Sequence, residues 1–174
     1  MPKTTGPYNP GDKVLIDVVL GNTATPAVDI NGLTFAMNYN SAIVKPGTFK
    51  IDFDNRSWMA YNSPMLDMVK YPFIGRAEAG YTRTSGLAAS GSGRIATVEF
   101  IIEDVIDGLK PGEGGKTTIA TQATSMNGSG LLQTLPIYNI QLEIITVDQD
   151  RYGVKEDDLL AFPNPAQAVL NIPV

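Results

Sequence analysis

Two pairs of acidic residues are the first candidates for catalysis. Asp52 and Asp54 are two residues apart, and Glu103 and Asp104 are adjacent. Glycoside hydrolases use two carboxylates and need no histidine. Side chains two residues apart on a β-strand leave the same face of a sheet, so Asp52 and Asp54 would be neighbours there. Nothing else in the sequence marks a cleft around either pair, and ordinary surface acids explain them better.

Histidine and cysteine are both absent from the 174 residues. The commonest general acid and base near neutral pH is therefore missing, and no Ser-His-Asp or Cys-His catalytic group can be built. Zinc sites of the usual histidine and cysteine type are excluded as well. We therefore expect a protein without catalytic residues or enzymatic activity.

The single tryptophan, Trp58, lies in a polar, turn-like segment with Tyr61 close by. Exposed aromatic rings serve carbohydrate-binding modules as platforms for sugar rings. Trp58 and Tyr61 are therefore the candidate carbohydrate-binding residues. The alternative, which we favour, is that Trp58 covers one end of a hydrophobic core.

The segment Asp148–Gly153 resembles half of a calcium-binding loop. Such a loop needs oxygen ligands at its first, third and fifth positions and an acidic residue at the twelfth. Here the fifth position is Tyr152 and the twelfth is Leu159, so the ligand set is incomplete. A solvated linker explains the segment better. We expect no cofactor, and calcium is the one metal ion whose binding this segment would allow.

Composition indicates one globular domain with a mildly acidic surface. Apolar residues make up 43% of the chain, charged residues 18%, and the net charge is −5. This charge argues against binding of nucleic acid or anionic membranes. No apolar run is long enough to span a bilayer. Residues 1–6 lack the apolar core of a signal peptide, so we expect any export signal to lie elsewhere in a longer protein.

Four segments alternate between apolar and other residues with period two, which is typical of half-buried β-strands. Their apolar rows are Val14, Ile16, Val18 and Leu20; Leu33, Phe35, Met37 and Tyr39; Ala96, Val98, Phe100 and Ile102; and Ile140, Leu142 and Ile144. Turn signals separate them, including Asn9–Asp12, Asn31–Gly32 and Lys45–Gly47. The stretch Pro64–Val69 fits one helical turn or a short strand. The pattern predicts an all-β protein, a two-sheet β-sandwich or jelly roll.

The sequence divides into three parts. Residues 1–147 carry the strand pattern, and the polar, charge-rich segment 148–158 is predicted to be a linker. The segment 159–174 is apolar again and is predicted to begin a further structural unit.

Three motifs in the first part resemble cohesin domains. They are Gly11–Leu20, a Gly-Asp start followed by an alternating strand; Gly32–Asn40, a strand ending in Tyr-Asn; and Gly93–Phe100, a glycine, a small-residue strand and Thr-x-x-Phe. Their order and spacing match over residues 11 to 147. The segments Val28–Gly32, Phe53–Trp58 and Tyr81–Thr84 resemble the cohesin-like modules of Bacteroidetes surface proteins. The resemblance implies a jelly-roll sandwich and a role in binding.

A second resemblance lies at the C-terminal end. Pro163, Asn164 and Pro165, followed by the short strand pattern of Ala168–Ile172, resemble the start of a type IX secretion C-terminal sorting domain. This implies a protein exported across an outer membrane, located outside the cell or on its outer surface. Only the first strand of such a domain is present, so these residues alone could not act as a sorting signal.

Cohesins bind dockerins on the outer face of one sheet, and the resemblance implies a similar partner-binding face here. The strands Leu33–Tyr39 and Arg94–Ile102 would contribute to it. Its outward positions would be Thr34, Ala36, Asn38, Ile95, Thr97, Glu99 and Ile101.

Three functions remain open at this point. The leading hypothesis is a non-catalytic adhesion or interaction module of a larger exported protein, with a protein or a cell-surface component as partner. The second is a carbohydrate-binding module of a secreted polysaccharide-degrading enzyme, and the third is a passive spacer. We expect neither nucleic-acid binding nor membrane insertion. The domains that neighbour this one in the full-length protein would separate the three.

Overall fold

The alternating segments form two antiparallel β-sheets that pack face to face. The computed structural model describes residues 6–106, 113–137 and 139–145. The strands are β1 (Lys13–Leu20), β2 (Ala27–Asn38), β3 (Lys50–Phe53), β4 (Met65–Phe73), β5 (Arg76–Arg83), β6 (Ala89–Gly91), β7 (Gly93–Ile101), β8 (Gly114–Asn127), β9 (Leu132–Thr134) and β10 (Ile140–Ile145). The only helix among these residues is the 3₁₀ turn Trp58–Ala60, which is far too short to cross a membrane. The predicted all-β sandwich is confirmed.

The two sheets differ in size. The small sheet has three strands in the order β1-β7-β3, and the large sheet has seven, with the order β10-β8-β2-β5-β4. In the large sheet β6 also pairs with β2, and β9 pairs with β8. A parallel bridge between Tyr8 and Ile144 places the N-terminal segment beside β10. The strand β4 therefore ends the large sheet on one side, and β9 and β10 lie towards the other.

The core lies between the sheets and contains two sets of contacting aromatic rings. Phe49 stacks between Tyr39 at 4.2 Å and Phe100 at 5.6 Å, measured between ring centroids. Phe53 of the small sheet stacks on Tyr81 of the large sheet, with the ring centroids 4.4 Å apart, so this pair connects the two sheets. These rings and the buried aliphatic rows exclude water from the space between the sheets, which is the main source of stability for such a sandwich.

Most of the strand predictions are confirmed, with two refinements. The four alternating rows lie on β1, β2, β7 and β10, apart from Tyr39 and Ile102, which directly follow their strands. In the stretch Pro64–Val69, all residues after Pro64 belong to β4, so the helical-turn alternative is wrong. The predicted turn at Asn31–Gly32 is also wrong, because both residues lie inside β2. The pairing of β2 with β8 shifts register there, so this glycine marks a bulge and not a reversal.

The predicted linker 148–158 and the predicted unit 159–174, with Pro163, Asn164 and Pro165, lie outside the described residues. The boundary at residue 147 therefore stays a prediction.

Candidate functional site

The outer face of the large sheet carries an ordered grid of side chains. Antiparallel pairing places Thr34 of β2 between Thr124 of β8 and Gly80 of β5, and Gly80 is paired in turn with Met68 of β4. Directly opposite residues in a sheet share a face, so each such row runs across four strands. The positions facing away from the core are Leu66, Met68 and Lys70; Arg76, Glu78, Gly80 and Thr82; Gly32, Thr34, Ala36 and Asn38; and Ala120, Gln122, Thr124 and Met126.

The centre of this grid is a depression of about 610 Å³. We call it the trough, and it is lined by Thr34, Phe35, Ala36, Met68, Lys70, Glu78, Ala79, Gly80, Gln122, Ala123, Thr124, Thr134 and Ile137. Its floor is low because the outward residues of β2 and β5 are small there. A Cβ atom added to Gly80 would meet only the Thr34 Cγ2 atom, at 3.9 Å, so the floor is open above this glycine.

One end of the trough is charged. Lys70 lies opposite Glu78 in the sheet register, but the Glu78 Oε1 atom accepts a hydrogen bond of 2.7 Å from the Arg76 Nε atom. The Arg76 Nη1 atom also donates to the Asn38 Oδ1 atom at 3.1 Å. These three polar groups satisfy one another. Lys70 is exposed and has no ion pair within the described part of the chain.

The next row of the grid lies outside the trough, on the side away from Lys70. A single row across the sheet connects Leu66, Thr82, Gly32, Met126 and Leu132. The two leucines at the ends of this row are 64% and 73% exposed. Leu66 and Leu132 lie four strand spacings apart, about 19 Å, with Thr82 and Gly32 between them, so they are two separate exposed side chains and not one apolar patch.

The structure divides the predicted partner-binding face between two sheets. Thr34, Ala36 and Asn38 lie on the outer face of the large sheet, and the first two line the trough. The other four residues, Ile95, Thr97, Glu99 and Ile101, belong to β7 in the small sheet. The prediction that both strands contribute to one face is therefore wrong, because alternation shows which side chains point outward but not which sheet a strand joins.

Ile95 needs a further correction, because it is completely buried. The pairing of β7 with β1 shifts register here, so that Val18 lies opposite Ala96 and Val19 opposite Arg94. Ile95 is the extra residue of this β-bulge, and a bulge interrupts strict alternation. As a result Ile95 and Ala96 both lie in the core.

The outer face of the small sheet is closed by its own charges. Arg94 lies between Asp54, with an Nη2 to Oδ2 distance of 2.8 Å, and Asp17, with an Nη1 to Oδ1 distance of 3.8 Å. Lys13 pairs with Glu99 at 2.8 Å. The Arg94 hydrogen bond, with the backbone N–H of Arg56, lowers the pKa of Asp54 below its usual range, because both favour the charged carboxylate.

Trp58 packs into the end of the sandwich. Its indole ring lies so close to Gly91 that a Cβ atom added there would come within 2.8 Å of the ring. The indole Nε1 atom is buried and has no acceptor among the described residues. Tyr61, by contrast, is 74% exposed. Its backbone carbonyl oxygen accepts hydrogen bonds from the guanidinium group of the buried Arg83. This packing favours the core role of Trp58, while sugar binding by Trp58 and Tyr61 stays a prediction.

One member of each carboxylate pair forms an ion pair with a basic residue. Asp54 pairs with Arg94 across the small sheet, while Asp104 pairs with Lys45 and raises the pKa of that lysine. Neither pair lines the trough. In the part of the chain that the structure describes, no group of three or more acidic side chains is placed to hold a metal ion. The predicted calcium loop at 148–153 lies outside that part.

Comparison with known proteins gives matches in structure only. No protein-family model matches the chain, and no curated protein matches it. Among solved structures, it resembles a chain of the Coh-OlpC–Doc435 complex, a type I cohesin–dockerin complex from Clostridium thermocellum, with a TM-score of 0.63 and 11% identity over 80% of this chain and 90% of that one. The fold is that of cohesin modules.

Two further cohesins extend this likeness. CaCohA2 from Clostridium acetobutylicum has a TM-score of 0.57 and 14% identity over 81% of this chain and 85% of its own. The cohesin module of a family 33 glycoside hydrolase from Clostridium perfringens has a TM-score of 0.55 and 12% identity over 84% of this chain and 95% of its own. At such identities the likeness covers the fold and no individual site residue.

Sequence reasoning missed most of the trough. Leu66 and Met68 lie in the stretch Pro64–Val69, for which the sequence leaves helix and strand both open, and Lys70 directly follows it. Gly80 and Gln122 carry no signal of their own. They enter the site only because β5 and β8 flank β2 in this cohesin-like fold.

Proposed function

We propose that this chain is a non-catalytic protein-binding module whose partner occupies the trough. The observation that carries the proposal is the trough itself, a depression with a floor of small residues, the exposed apolar side chain of Met68 at its wall, and Lys70, which has no ion pair among the described residues. Thr34, Ala36 and Gly80 let a partner approach the sheet closely, while Leu66 and Met68 offer apolar surface that contact would remove from water.

The fold supports this proposal. One of the structures that the chain resembles is a cohesin in complex with a dockerin, so a sandwich of this kind can act by binding another protein. Fold alone does not transfer a partner, so the proposal depends on the trough of this chain and not on the likeness. The partner is a protein in this proposal, since the described residues that line the trough include no outward aromatic ring on which a sugar could stack.

We place this module outside the cell or on its outer surface, as part of a larger exported protein. The support is the resemblance of Pro163, Asn164 and Pro165 to the start of a type IX sorting domain. Protease treatment of intact cells of the source organism tests this placement. The full-length protein should be digested, or recovered from the medium, while a cytoplasmic marker stays intact.

A pair of matched substitutions tests the binding function. Gly80→Arg adds a large charged side chain to the trough at a position where its Cβ atom would meet nothing closer than 3.9 Å, and Thr97→Arg places the same side chain on the outer face of the small sheet. Immobilised wild-type domain and both variants are exposed to secreted and surface proteins of the source organism, and the captured proteins are quantified by mass spectrometry. We expect a protein retained by wild type and Thr97→Arg but lost with Gly80→Arg. Retention that is equal on all three folded proteins would refute binding through the trough.

The non-catalytic part of the proposal has its own test. The isolated domain should show no turnover above buffer with a panel of glycosides, esters and peptides. Activity that Asp52→Asn or Glu103→Gln abolishes would contradict it.

A further inference from the structure

We infer that the free edge of the large sheet, along β4, pairs with an extended segment of a partner protein that carries a basic residue opposite Asp67. Such pairing is independent of the trough, because it uses the backbone of an edge strand and not the outer face of the sheet. Three features of the described residues support it: unpaired backbone groups, the limits of the open edge and the placement of one charge.

The hydrogen bonds of β4 leave a row of its backbone groups unpaired. The Thr84 N–H donates to the Pro64 carbonyl oxygen at 3.0 Å, so these two residues form a hydrogen-bonded pair. Such pairs occur at every second residue of an antiparallel ladder, and the residues between them direct their N–H and C=O groups away from the partner strand. In β4 the outward residues are Met65, Asp67 and Val69, whose backbone groups have no partner among the described residues. An open edge of this kind can accept another strand.

The open edge is limited at both ends. Pro64 precedes it, and the pairing of β4 with β5 shifts register between Lys70 and Phe73, where Pro72 has no N–H group to offer. The Tyr71 hydroxyl group forms a hydrogen bond with the backbone of β3, which ties this end of β4 to the small sheet. An added strand therefore meets the stretch Met65–Val69. We take it as antiparallel, like every pair of named strands in this sheet.

Asp67 makes the edge selective for charge. It is exposed, it lies opposite the buried Tyr81, and it has no ion pair in the part of the chain that the structure describes. Opposite charges that face each other across two paired strands stabilise the pair, and like charges destabilise it. The partner residue opposite Asp67 should therefore be lysine or arginine. Its two neighbours should be apolar, because they would cover Leu66 and Met68, which are 64% and 53% exposed.

The same charge disfavours a second copy of this chain as the occupant. A two-fold antiparallel pair of β4 strands that uses all three outward residues places Met65 opposite Val69 and Asp67 opposite its own copy. The two aspartates would then face each other with their Cα atoms about 5.5 Å apart. A charge directed inward on an edge strand is a device that proteins use against self-association. The edge is therefore closed to itself and open to a strand with a basic residue.

Short synthetic peptides test the inference on the full chain. The probe has the core Thr-Val-Lys-Val-Thr with capped polar ends, and its control has glutamate in place of lysine. Amide hydrogen exchange of the chain, followed by NMR, gives the location and the affinity. We expect the lysine peptide to slow exchange at Met65, Asp67 and Val69. The glutamate peptide should bind about three- to tenfold more weakly at low salt, and the difference should shrink in high salt.

Methylation of the peptide backbone separates edge pairing from contact through side chains. In an antiparallel pair with β4, the N–H groups of the central lysine and of the two threonines would face the edge, and those of the two valines would face away. Methylating the first set should abolish binding, while methylating the valines should preserve it. Loss of binding only with the methylated valines would refute the proposed pairing.

Substitutions at one residue separate the charge from the backbone. Asp67→Lys should reverse the preference between the two peptides, and Asp67→Ala should bind both alike. Asp67→Pro removes an outward N–H group without breaking a bond to β5, so it should fold and lose both peptides. Gly80→Arg, which alters the trough, should bind the lysine peptide as wild type does. Failure of the edge and failure of the trough can therefore be told apart.

Three results would overturn the inference. Equal affinity of wild type for the two peptides would remove the role of Asp67. Protection of the Met65, Asp67 and Val69 amides in the chain without peptide would mean that the edge is already occupied. A dimer in light scattering that Asp67→Pro dissolves would mean that a second copy is the occupant.

Discussion

The outer faces of the two sheets differ in how far their charged side chains are paired with one another. On the small sheet, Arg94 contacts two aspartates and Lys13 contacts Glu99, so the charges there are largely paired with one another. On the large sheet the central outward residues Thr34, Ala36 and Gly80 are small, and in the described part of the chain Lys70 forms no ion pair with the neighbouring cluster of Arg76, Glu78 and Asn38. A face whose polar groups already have partners has little to gain from a new one.

This difference shows what distinguishes a binding face from a solvated face in a sandwich. Exposed charges are common to both, and surface ion pairs contribute little to stability. The two faces differ in how much exposed apolar area and how many charges remain without a partner among the described residues. The predictions below test first the assignment of the two faces and then the contrast between them, from the largest expected effect to the smallest.

The largest effect concerns which side of each strand faces the core. Phe100 of β7 is completely buried and stacks on Phe49. Phe100→Ala should lower the free energy of unfolding by about 3–5 kcal/mol, because it removes apolar contacts and leaves a cavity. Thr97→Ala, on the outer side of the same strand, is the control and should change it by less than about 1 kcal/mol. A loss below about 1 kcal/mol for Phe100→Ala in denaturant unfolding would mean that the inner and outer sides are reversed.

Two glycines sharpen the contrast between a closed region and an open one. Gly91→Ala brings a Cβ atom within 2.8 Å of the Trp58 ring and should destabilise the domain by about 1–3 kcal/mol through overpacking. Gly80→Ala adds the same methyl group over the open trough floor. It should be neutral, or stabilise by up to about 1 kcal/mol through lower entropy of the unfolded chain. Thermal melting of both variants gives the comparison, and equal destabilisation would show that the trough floor is not open.

The ion pair between Asp54 and Arg94 should make the free energy of unfolding depend modestly on pH. The pKa of Asp54 is lower in the folded state than in the unfolded chain, so the carboxylate stabilises the fold above the unfolded value of about 4. This contribution is lost as the pH falls through the lowered pKa.

Asp54→Asn should therefore be less stable than wild type at pH 7, by less than about 1 kcal/mol. The difference should shrink towards pH 2 and also in high salt. Urea midpoints at several pH values test this. Glu99→Gln serves as a comparison, since it removes an ion pair of the same face without touching Arg94. A difference between Asp54→Asn and wild type that grows on acidification would show that the sign is wrong.

The smallest effect should be on the large sheet. Lys70→Ala removes a side chain that has no ion pair in the described residues, so the free energy of unfolding should stay within about 0.5 kcal/mol. Arg94→Ala removes two contacts on the small sheet and should be the more damaging of the two. If Lys70→Ala destabilised the domain as much as Arg94→Ala, Lys70 would be a structural residue and unavailable to a partner.

The fold was predictable from the sequence because a strand with one buried face shows a local pattern, apolar residues at every second position. Phe35 and Phe100 each belong to an apolar row with period two on a predicted strand, and both are buried in the core of the domain. The candidate site has no comparable local pattern in the sequence. Gly80, Gln122 and Thr34 become neighbours through pairing between strands distant in the chain, and nothing local encodes that pairing. The bulge that buries Ile95 was hidden for a related reason, since a register shift depends on the partner strand.

The small residues of the trough floor have a consequence for how this domain can change over time. Ala36, Gly80 and Thr124 contribute little to the core, because the neighbouring positions on each strand do the packing. Substitutions there are therefore expected to alter the shape of the outer face while leaving the fold intact, so recognition can diverge while the architecture persists. The same independence makes these positions, with Thr34 and Gln122, a natural set to randomise if the domain is to be given new binding partners.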